Sequence, residues 1–299
     1  MKKEIIAVGL GEVLWDVFPD GKRLGGAPAN FSYHLAQQGL RAELVSAVGD
    51  DAGGNGILKL LAQKHVSTKY TSRVPAPTGR VDVAVDSKGV AAYRFSENCA
   101  WDYLVFSPEN EKLAKRTDAV CFGTLAQRGP RSREAILRFL DAMPASSIRV
   151  FDVNLRQNFF SEEIILGSLE RCSVLKINED ETPAVSKLLG VNLRSRETFF
   201  DAVFEKFPGI KMIAQTLGKA GSIVRSRDGT HSEIAAEKSI RLIDTVGAGD
   251  AFSAGFVAAL LQGASVREAH FHAAKLAGYV CSQAGAMPEV PPAYRFSKA

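Results

Sequence analysis

The sequence has few cysteines, and their spacing excludes the sites that cysteine most often builds. Its 299 residues contain only Cys99, Cys121, Cys172 and Cys281, and no two of these form a C-x-x-C pair. Zinc sites and the disulfide frameworks of small secreted proteins both depend on closely spaced cysteines. We therefore expect neither kind of site, a reducing cytoplasm as the location, and a simple packing role for Cys121.

The sequence also lacks a large excess of charge of one sign and lacks long apolar runs. The formal net charge is +4 without a basic block, so we expect no nucleic-acid partner. No apolar stretch reaches the roughly 20 residues of a membrane-spanning helix, so we expect no membrane association. The apolar run near the start is interrupted by Glu12 and Asp16, which favours a first β-strand over a signal peptide.

The usual nucleotide-binding motifs are also absent. The Gly-Lys of residues 217–222 lacks the earlier glycine of a G-x-x-x-x-G-K-[ST] loop. Leu14 stands where a dinucleotide fingerprint that begins at Gly9 needs its third glycine. The His-Arg-Asp and Asp-Phe-Gly signatures of protein kinases are missing too. A nucleotide site in this chain must therefore be built in another way.

Short, β-branched apolar runs alternate with helix-like segments along the chain. The runs are apolar on both faces, which is typical of buried parallel strands. Their alternation with helices predicts an α/β fold, a mostly parallel sheet with helices on both faces, formed as one domain over residues 1–299. The predicted strands are residues 4–10, 42–49, 119–125, 149–155, 174–178 and 211–217, and the predicted helices are 28–39, 54–64, 131–142, 162–171, 181–189, 196–206, 249–262 and 265–284.

Two segments depart from this alternation. Residues 12–25 and 79–96 alternate apolar and polar positions and contain turn signals such as Lys88-Gly89. Such patterns are typical of antiparallel strands with one exposed face. We expect them to form a small projecting sheet, a lid of about residues 12–25 and 79–98.

Residues 242–261 combine a flexible turn with a carboxylate at the start of a helix. An apolar run ends near Asp244, a Gly-Ala-Gly turn follows, and Asp250 stands at the head of an amphipathic segment. Unpaired N–H groups at a helix start bind anions, and glycines allow a close backbone approach. A carboxylate beside such a site has a use in phosphoryl transfer, where it deprotonates the accepting hydroxyl. The alternative is structural, with Asp250 as an N-cap and the glycines as a tight turn.

The stretch DTVGAGDAFSAGF at residues 244–256 resembles the C-terminal signature of the ribokinase–fructokinase (PfkB-type) family of carbohydrate kinases. Residues 25–54 are similar to the family's N-terminal signature, and the resemblance covers nearly the whole chain. It implies a ribokinase-like fold with a β-sheet lid and an ATP-dependent sugar kinase. It also implies Mg²⁺ and K⁺ as cofactors, and a homodimer through the lid, where an exposed sheet edge is available for pairing.

The resemblance assigns phosphoryl transfer to the glycine turn. Asp250 would be the catalytic base, and the amides of Gly247, Ala248 and Gly249 would form the anion hole.

The sugar would lie between the lid and the main domain. Asp16 would bind sugar hydroxyls, Gly26 and Asn30 would line the pocket, and Arg94 and Arg156 would reach the substrate. Asp16 could instead be a solvated acid at a strand end, and Arg156 a surface ion pair. Asn30 falls inside a helix, where Asn is mildly unfavourable, and this favours a functional role.

The nucleotide would contact residues of three further segments. Asn178 and Glu181 match the family's N-x-x-E, which is associated with magnesium and the ATP phosphates, although they could also be an ordinary strand end and helix start. Thr216, Gly218 and Gly221 resemble the loop under the nucleotide.

Two assignments complete this set. His272 is interpreted either as packing or as a contact near the adenine. Asp244, the Val246 carbonyl and Gly285 resemble a monovalent-cation site.

The substrate is less well defined than the reaction. Residues 11–39 and 93–102 are more similar to fructokinase-type members than to ribokinases, so we favour fructose, phosphorylated at a terminal hydroxyl. Ribose, 2-keto-3-deoxygluconate or a nucleoside remain alternatives, because discrimination depends on a few hydrogen bonds. A sugar-binding sensor that has lost catalysis is the alternative from another class of protein.

Overall fold

The computed structural model describes residues 4–85, 91–237 and 241–297, so the predicted Lys88-Gly89 turn lies outside the described residues. The strands are β1 (Ile6–Leu10), β2 (Leu14–Phe18), β3 (Gly21–Gly25), β4 (Arg41–Gly49), β5 (Thr71–Val74), β6 (Arg80–Val85), β7 (Ala91–Phe95), β8 (Ala119–Phe122), β9 (Ile148–Asp152), β10 (Val174–Asn178), β11 (Met212–Thr216), β12 (Ser222–Ser226) and β13 (His231–Ile234). The helices are α1 (Ala27–Gln37), α2 (Ala52–Gln63), α3 (Pro108–Ala114), α4 (Pro130–Ala142), α5 (Glu162–Leu169), α6 (Thr182–Leu188), α7 (Arg196–Lys206), α8 (Ala248–Leu261) and α9 (Val266–Cys281).

Nine strands of the described residues form one large sheet, in the order β13-β12-β11-β10-β9-β8-β1-β4-β5. Neighbours from β11 to β5 are parallel, while β12 and β13 continue the sheet in antiparallel fashion. All six predicted strands are present, which confirms the mostly parallel sheet. The strands β5, β12 and β13 were not predicted, because their short sequences mix polar and apolar residues.

Helices cover both faces of this sheet, as predicted. On one face, α1 and α8 contribute the buried rings of Phe31, Phe252 and Phe256. On the other face, α4 and α7 contribute Phe139 and Phe199. Burying side chains of this size contributes about 1.5–3 kcal/mol each, so both faces stabilise the sheet that carries the site. None of the helices in the described part of the chain has the length and apolar character needed to cross a membrane.

A second sheet of four strands has the order β3-β2-β6-β7. It draws its strands from the two predicted lid segments. The hairpins β2-β3 and β6-β7 are antiparallel, but β2 pairs with β6 in parallel, so the prediction of an antiparallel sheet is wrong at its centre. The reason is topological, because β2 follows β1 and β6 follows β5, and both leave the large sheet from the carboxyl ends of parallel strands.

The small sheet rests on the main body of the protein through Trp15. This side chain of β2 is buried, and its Nε1 donates to the Gly53 carbonyl of α2 at 3.0 Å. A side chain at Gly56 would contact the same indole, which explains the small residue there. The anchored strand places Asp16, the next residue, over the cleft between the two sheets.

Candidate active site

The start of α8 is an open helix N-terminus. Gly247 is its N-cap with φ of 77°, and no side chain of the described residues caps it. A Cβ at Gly247 would lie 2.6 Å from that of Ala286, so both the backbone angle and the space require glycine. Asp250 lies in the first turn, so it is not the N-cap that the structural alternative assumed, although Gly247 does form a tight turn there. Apart from the Ala248 N–H, which donates to the Thr245 carbonyl oxygen at 3.3 Å, the N–H groups of this turn have no side-chain cap and form a site suited to an anion.

Asp250 is held by a residue from the other end of the chain. The side-chain Nδ2 of Asn30, in α1, donates to Asp250 Oδ2 at 2.7 Å. Burial raises the pKa of Asp250 to about 6, and the charge of Asp152 adds to the increase, while the Asn30 bond and the charges of Lys176 and Arg156 oppose it. A carboxyl group with this pKa is mostly ionised at neutral pH and can still accept a proton.

Asn30 itself has unused hydrogen-bonding capacity. Its side chain is 4% exposed, and its Oδ1 has no hydrogen-bond partner among the described residues. Buried polar atoms are rarely left unpaired, so an acceptor here indicates that a donor arrives from outside the chain. A sugar hydroxyl is such a donor.

Asp16 faces the cleft from the small sheet, above two glycines that lead into α1. Burial raises the pKa of Asp16 to about 6, against the nearby charge of Arg156. A Cβ at Gly25 would collide with the Asp16 carboxylate. Gly26 has φ of 108°, and a Cβ there would lie 2.6 Å from the Glu12 carbonyl oxygen. Glycine is therefore required at position 26, and at position 25 it leaves room for the Asp16 carboxylate.

The two predicted arginines lie in different places. Arg156 is exposed in the loop after β9, and its charge acts on Asp16, Glu12 and Asp250, so the structure brings it to the cleft. Arg94 is an exposed residue of β7, paired in register with Asp82 on the small sheet. Its role at the substrate stays a prediction.

Two charged residues of this region were missed by the sequence interpretation. Glu12 is 3% exposed, its Oε2 has no hydrogen-bond partner among the described residues, and burial, aided by the charge of Asp250, raises its pKa to about 7. Lys176 is buried in the middle of β10 and lies 2.9 Å from Asp152 Oδ1. The available signal was a charged residue inside an otherwise apolar run, because such residues are rarely buried without a partner.

Asn178 and Glu181 cap each other at the end of β10. Asn178 Oδ1 accepts the Glu181 N–H at 2.8 Å, and Glu181 Oε2 accepts the Asn178 N–H at 3.0 Å. Glu181 Oε1 accepts the Leu155 N–H at 2.9 Å. Both Glu181 oxygens already bind backbone, so this carboxylate is suited to an indirect role near a magnesium ion rather than to direct ligation.

The predicted nucleotide loop begins beside this pair, because Thr216 is the register partner of Asn178 on the neighbouring strand β11. Gly218 and Gly221 follow with φ of 50° and 106°. A Cβ at Gly221 would collide with the Ile234 carbonyl, so this turn depends on glycine. The loop thus lies at the carboxyl edge of the sheet, where open α/β sheets bind ligands.

His272 lies on α9 and is packed in the interior of the protein. It is 7% exposed, pairs with Gln38 Oε1 at 3.0 Å, and packs edge-on against Phe296 with 5.3 Å between ring centroids. Burial lowers its pKa to about 4. These contacts favour the packing interpretation over a contact with the nucleotide.

The predicted cation site joins two turns next to α8. Asp244 Oδ1 accepts the Val246 N–H at 3.0 Å, and Asp244 Oδ2 accepts the Gly285 N–H at 3.0 Å. Within the described ranges, no group of three or more His, Cys, Asp or Glu residues could hold a metal ion. Backbone carbonyl oxygens such as that of Val246 are ligands that suit K⁺, and binding of K⁺ here stays a prediction.

The fold and this chemistry are those of a phosphotransferase with an alcohol group as acceptor. Residues 6–293 match the family described as pfkB family carbohydrate kinase, and the chain belongs to this family. The match confirms the resemblance in the two signatures. The protein is therefore a carbohydrate kinase.

Three relatives illustrate the range of the family. A fructokinase of Klebsiella pneumoniae is 30% identical over 263 residues, which cover 84% of this chain and 83% of that protein. An ATP-dependent 6-phosphofructokinase of Thermoanaerobacterium thermosaccharolyticum is 26% identical over 280 residues, with coverage of 90% and 82%. The structure of a Xylella fastidiosa fructokinase with bound ATP has a TM-score of 0.85 at 19% identity, with coverage of 97% and 96%. This last likeness confirms the predicted ribokinase-like fold.

Proposed function

We propose that this protein transfers the γ-phosphoryl group of ATP to a terminal hydroxyl of fructose. The observation that carries the proposal is the convergence of Asp250, Asn30 and Asp16 on one cleft beside the uncapped start of α8. Asp250 can act as a base, the Asn30 amide oxygen can accept a hydrogen bond, and Asp16 supplies a second carboxylate. Together these groups can bind the hydroxyl groups of a sugar.

In the proposed reaction, Asp250 accepts the proton of the attacking hydroxyl. The sugar oxygen forms a bond to the γ-phosphorus, the bond from that phosphorus to the bridging oxygen of ADP breaks, and ADP leaves with the electron pair. The amides of Gly247, Ala248 and Gly249 stabilise the charge of the transferring group. Because these N–H groups are fixed by the backbone, they need no reorganisation during the reaction.

Asn178, Thr216 and the glycines of the following loop are the residues that would hold ATP. Magnesium bound with ATP would neutralise phosphate charge, and Glu181 would act near it through the backbone that it fixes. The support is geometric, because Asn178 and Thr216 end the adjacent strands β10 and β11, and Gly249, at the start of α8, lies next to the Lys176 side chain of β10.

Charge in the cleft favours a neutral sugar over a sugar phosphate. The carboxyl groups of Asp16, Glu12 and Asp250 surround the proposed pocket, and Arg156 is the cation that acts on all three. A phosphate group already present on the acceptor would be repelled by this excess of negative charge. The likeness of residues 11–39 to fructokinases and the Klebsiella relative point the same way.

A panel of acceptors tests the proposal. ADP release would be measured with ATP, Mg²⁺ and K⁺ and with fructose, fructose 6-phosphate, ribose, 2-keto-3-deoxygluconate or a nucleoside. We expect the highest kcat/KM with fructose. A higher value with another acceptor would contradict the substrate assignment, and sugar binding without any ADP release would favour a non-catalytic sensor.

The variant Asp250→Asn tests the mechanism in the same assay. An amide cannot accept the proton, so we expect kcat with fructose to fall by about 10²–10⁴-fold while ATP binding, measured by calorimetry, persists. Asp20→Asn, an exposed acid of the lid hairpin, is the matched control. Retention of most of the activity by Asp250→Asn would overturn the assigned base.

A further inference from the structure

Lys176 is the buried charge of the cleft that the proposed mechanism leaves without a role. It lies in the middle of β10 between Leu175 and Ile177, and it is 7% exposed. The side chains alternate along the strand, so Lys176 points toward the face covered by α8. Ionised groups are rarely buried unless they are paired, because desolvation is costly.

The partner that fixes Lys176 is Asp152, its register neighbour on β9. Lys176 Nζ lies 2.9 Å from Asp152 Oδ1, and Ser253 of α8 donates to Asp152 Oδ2 at 3.2 Å. The ammonium is therefore held at one position between the sheet and the helix. Burial alone would lower the pKa of Lys176, but the carboxylates of Asp152, Glu181 and Asp250 raise it above its usual value, so it stays charged.

That position lies directly beneath the anion-binding turn. A Cβ at Gly249 would lie 2.9 Å from Lys176 Nζ and 3.8 Å from Cε, so the ammonium occupies the space where a side chain at this position would stand. The absence of a side chain at Gly249 thus leaves room for the lysine at the start of α8. A charge in a low-dielectric interior acts more strongly than it would in water.

We propose that Lys176 is a positioning residue of phosphoryl transfer, a buried cation that adds positive charge behind the Gly247–Gly249 turn and favours the ionised form of Asp250. The inference rests on the proposed function, because it assumes that the turn holds the transferring phosphoryl group. In this role Lys176 acts through Gly249 and Asp250 and does not need to contact the substrate.

The pH dependence of Asp250 reflects charged groups from every element around it. Glu12 after β1, Cys121 of β8, Asp152 of β9, Arg156 of the following loop and Lys176 of β10 all face it. Glu12 and Asp152 oppose ionisation of Asp250, whereas Arg156 and Lys176 favour it. Removing the charge of Lys176 should therefore raise the pKa of Asp250, so that the base becomes protonated at a higher pH.

Lys176→Met tests the inference with ATP and fructose from pH 5 to 9. We expect the acidic limb of kcat to move upward by about one pH unit, and the plateau value to fall by about 10–100-fold. Lys211→Met, the same change at an exposed lysine, should leave both unchanged. An unmoved limb and an unchanged plateau in Lys176→Met would overturn the inference.

A double variant separates this role from simple neutralisation of Asp152. Lys176→Met alone leaves the buried Asp152 carboxylate without its cationic partner, so we expect the protein to lose stability, whereas Asp152→Asn with Lys176→Met removes both charges. We expect the double variant to recover its thermal midpoint but to keep the lowered plateau kcat. Wild-type kcat in the double variant would show that Lys176 only neutralises Asp152, and would overturn the inference.

A readout that does not need turnover distinguishes failure of the inference from failure of the proposed function. The ¹³C carboxyl signal of Asp250, identified by its loss in Asp250→Asn, can be titrated in the wild type and in Lys176→Met. An upward shift in the variant supports the inference even if fructose is not the acceptor. An unshifted titration overturns it even if fructose is phosphorylated.

Discussion

Asn30 and Asp250 are 220 residues apart in the sequence, yet Asn30 Nδ2 donates to Asp250 Oδ2 at 2.7 Å. The bond joins α1, which follows Gly25 and Gly26, to the first turn of α8. It favours the charged form of the carboxylate, so it opposes the increase in pKa that burial causes. The residue that lines the predicted sugar pocket therefore also adjusts the predicted base.

Removing this bond should move the acidic limb of the pH profile. Asp250 acts as a base only when ionised, so kcat/KM with fructose should fall about tenfold per unit below a pH of about 6. Asn30→Ala should raise the pKa of Asp250 and move this limb to higher pH. Initial rates from pH 5 to 8.5 measure the shift, with Asn110→Ala, on α3, as the control. A limb at the same pH in both variants would contradict the coupling.

Glu12 should make the protein less stable as pH rises. Its pKa is about 7 in the folded protein against an ordinary value of 4.5, so the folded state binds more protons between these values. Stability therefore falls as pH increases through this window. We expect Glu12→Gln to be more stable than wild type by about 1–3 kcal/mol at pH 8, with little difference at pH 4.5.

Urea unfolding at the two pH values measures this effect. Glu205→Gln, on the exposed surface of α7, is the matched control and should show no pH-dependent gain. An equal stability of Glu12→Gln and wild type at pH 8 would show that the buried carboxyl imposes no such cost.

The sequence predicted the parts of the fold that depend on local pattern. Apolar runs such as residues 174–178 became buried parallel strands, and the polar residue at the end of that run, Asn178, lies at the carboxyl edge of the sheet. Short edge strands such as β13 carry no such pattern. The parallel pairing of β2 with β6 was also beyond local reasoning, because it depends on how β1 and β5 are placed in the large sheet.

Prediction of the candidate site from the sequence was limited in the same way. The glycine turn and Asp250 were recognisable because they form one continuous stretch, but the Lys176–Asp152 pair is formed by strands that the sequence does not align. His272 was ambiguous because its partners, Gln38 and Phe296, lie far away along the chain. The homodimer through the lid, the single-domain organisation and the cytoplasmic location stay predictions.

A monovalent cation should support the turn that is proposed to hold the phosphoryl group. Asp244 fixes the amides of both Val246 and Gly285, so a cation bound to the carbonyls of these turns would order Gly247. We expect kcat to fall by about tenfold or more when K⁺ is replaced by tetramethylammonium at equal ionic strength. Asp244→Asn should lose most of this dependence, whereas Asp20→Asn should keep it. Equal rates with the two cations would contradict the site.

The last prediction concerns closure of the small sheet over the sugar. ATP in an open cleft would be exposed to attack by water, so a sugar kinase gains by completing its site only after the sugar binds. Asp16 on the small sheet and Asn30 on the main body face the same cleft, and Gly26 lies between them at φ of 108°. We expect fructose to protect residues 12–26, 79–85 and 91–98 from hydrogen exchange, and ATP hydrolysis without sugar to be very slow.

Two substitutions test whether binding of the sugar and closure of the small sheet are coupled. Asp16→Ala should raise KM for fructose and lower kcat together, with a loss in kcat/KM of about 10–100-fold, because a charged hydrogen-bond acceptor is removed. Gly26→Val should act in the same direction, since a Cβ there would meet the Glu12 carbonyl oxygen at 2.6 Å. Gly229→Val is the matched control, because Gly229 also has a positive φ, of 92°, but has open space around it. Unchanged KM and kcat in Asp16→Ala, or unaltered exchange at saturating fructose, would show that the small sheet does not close on the sugar.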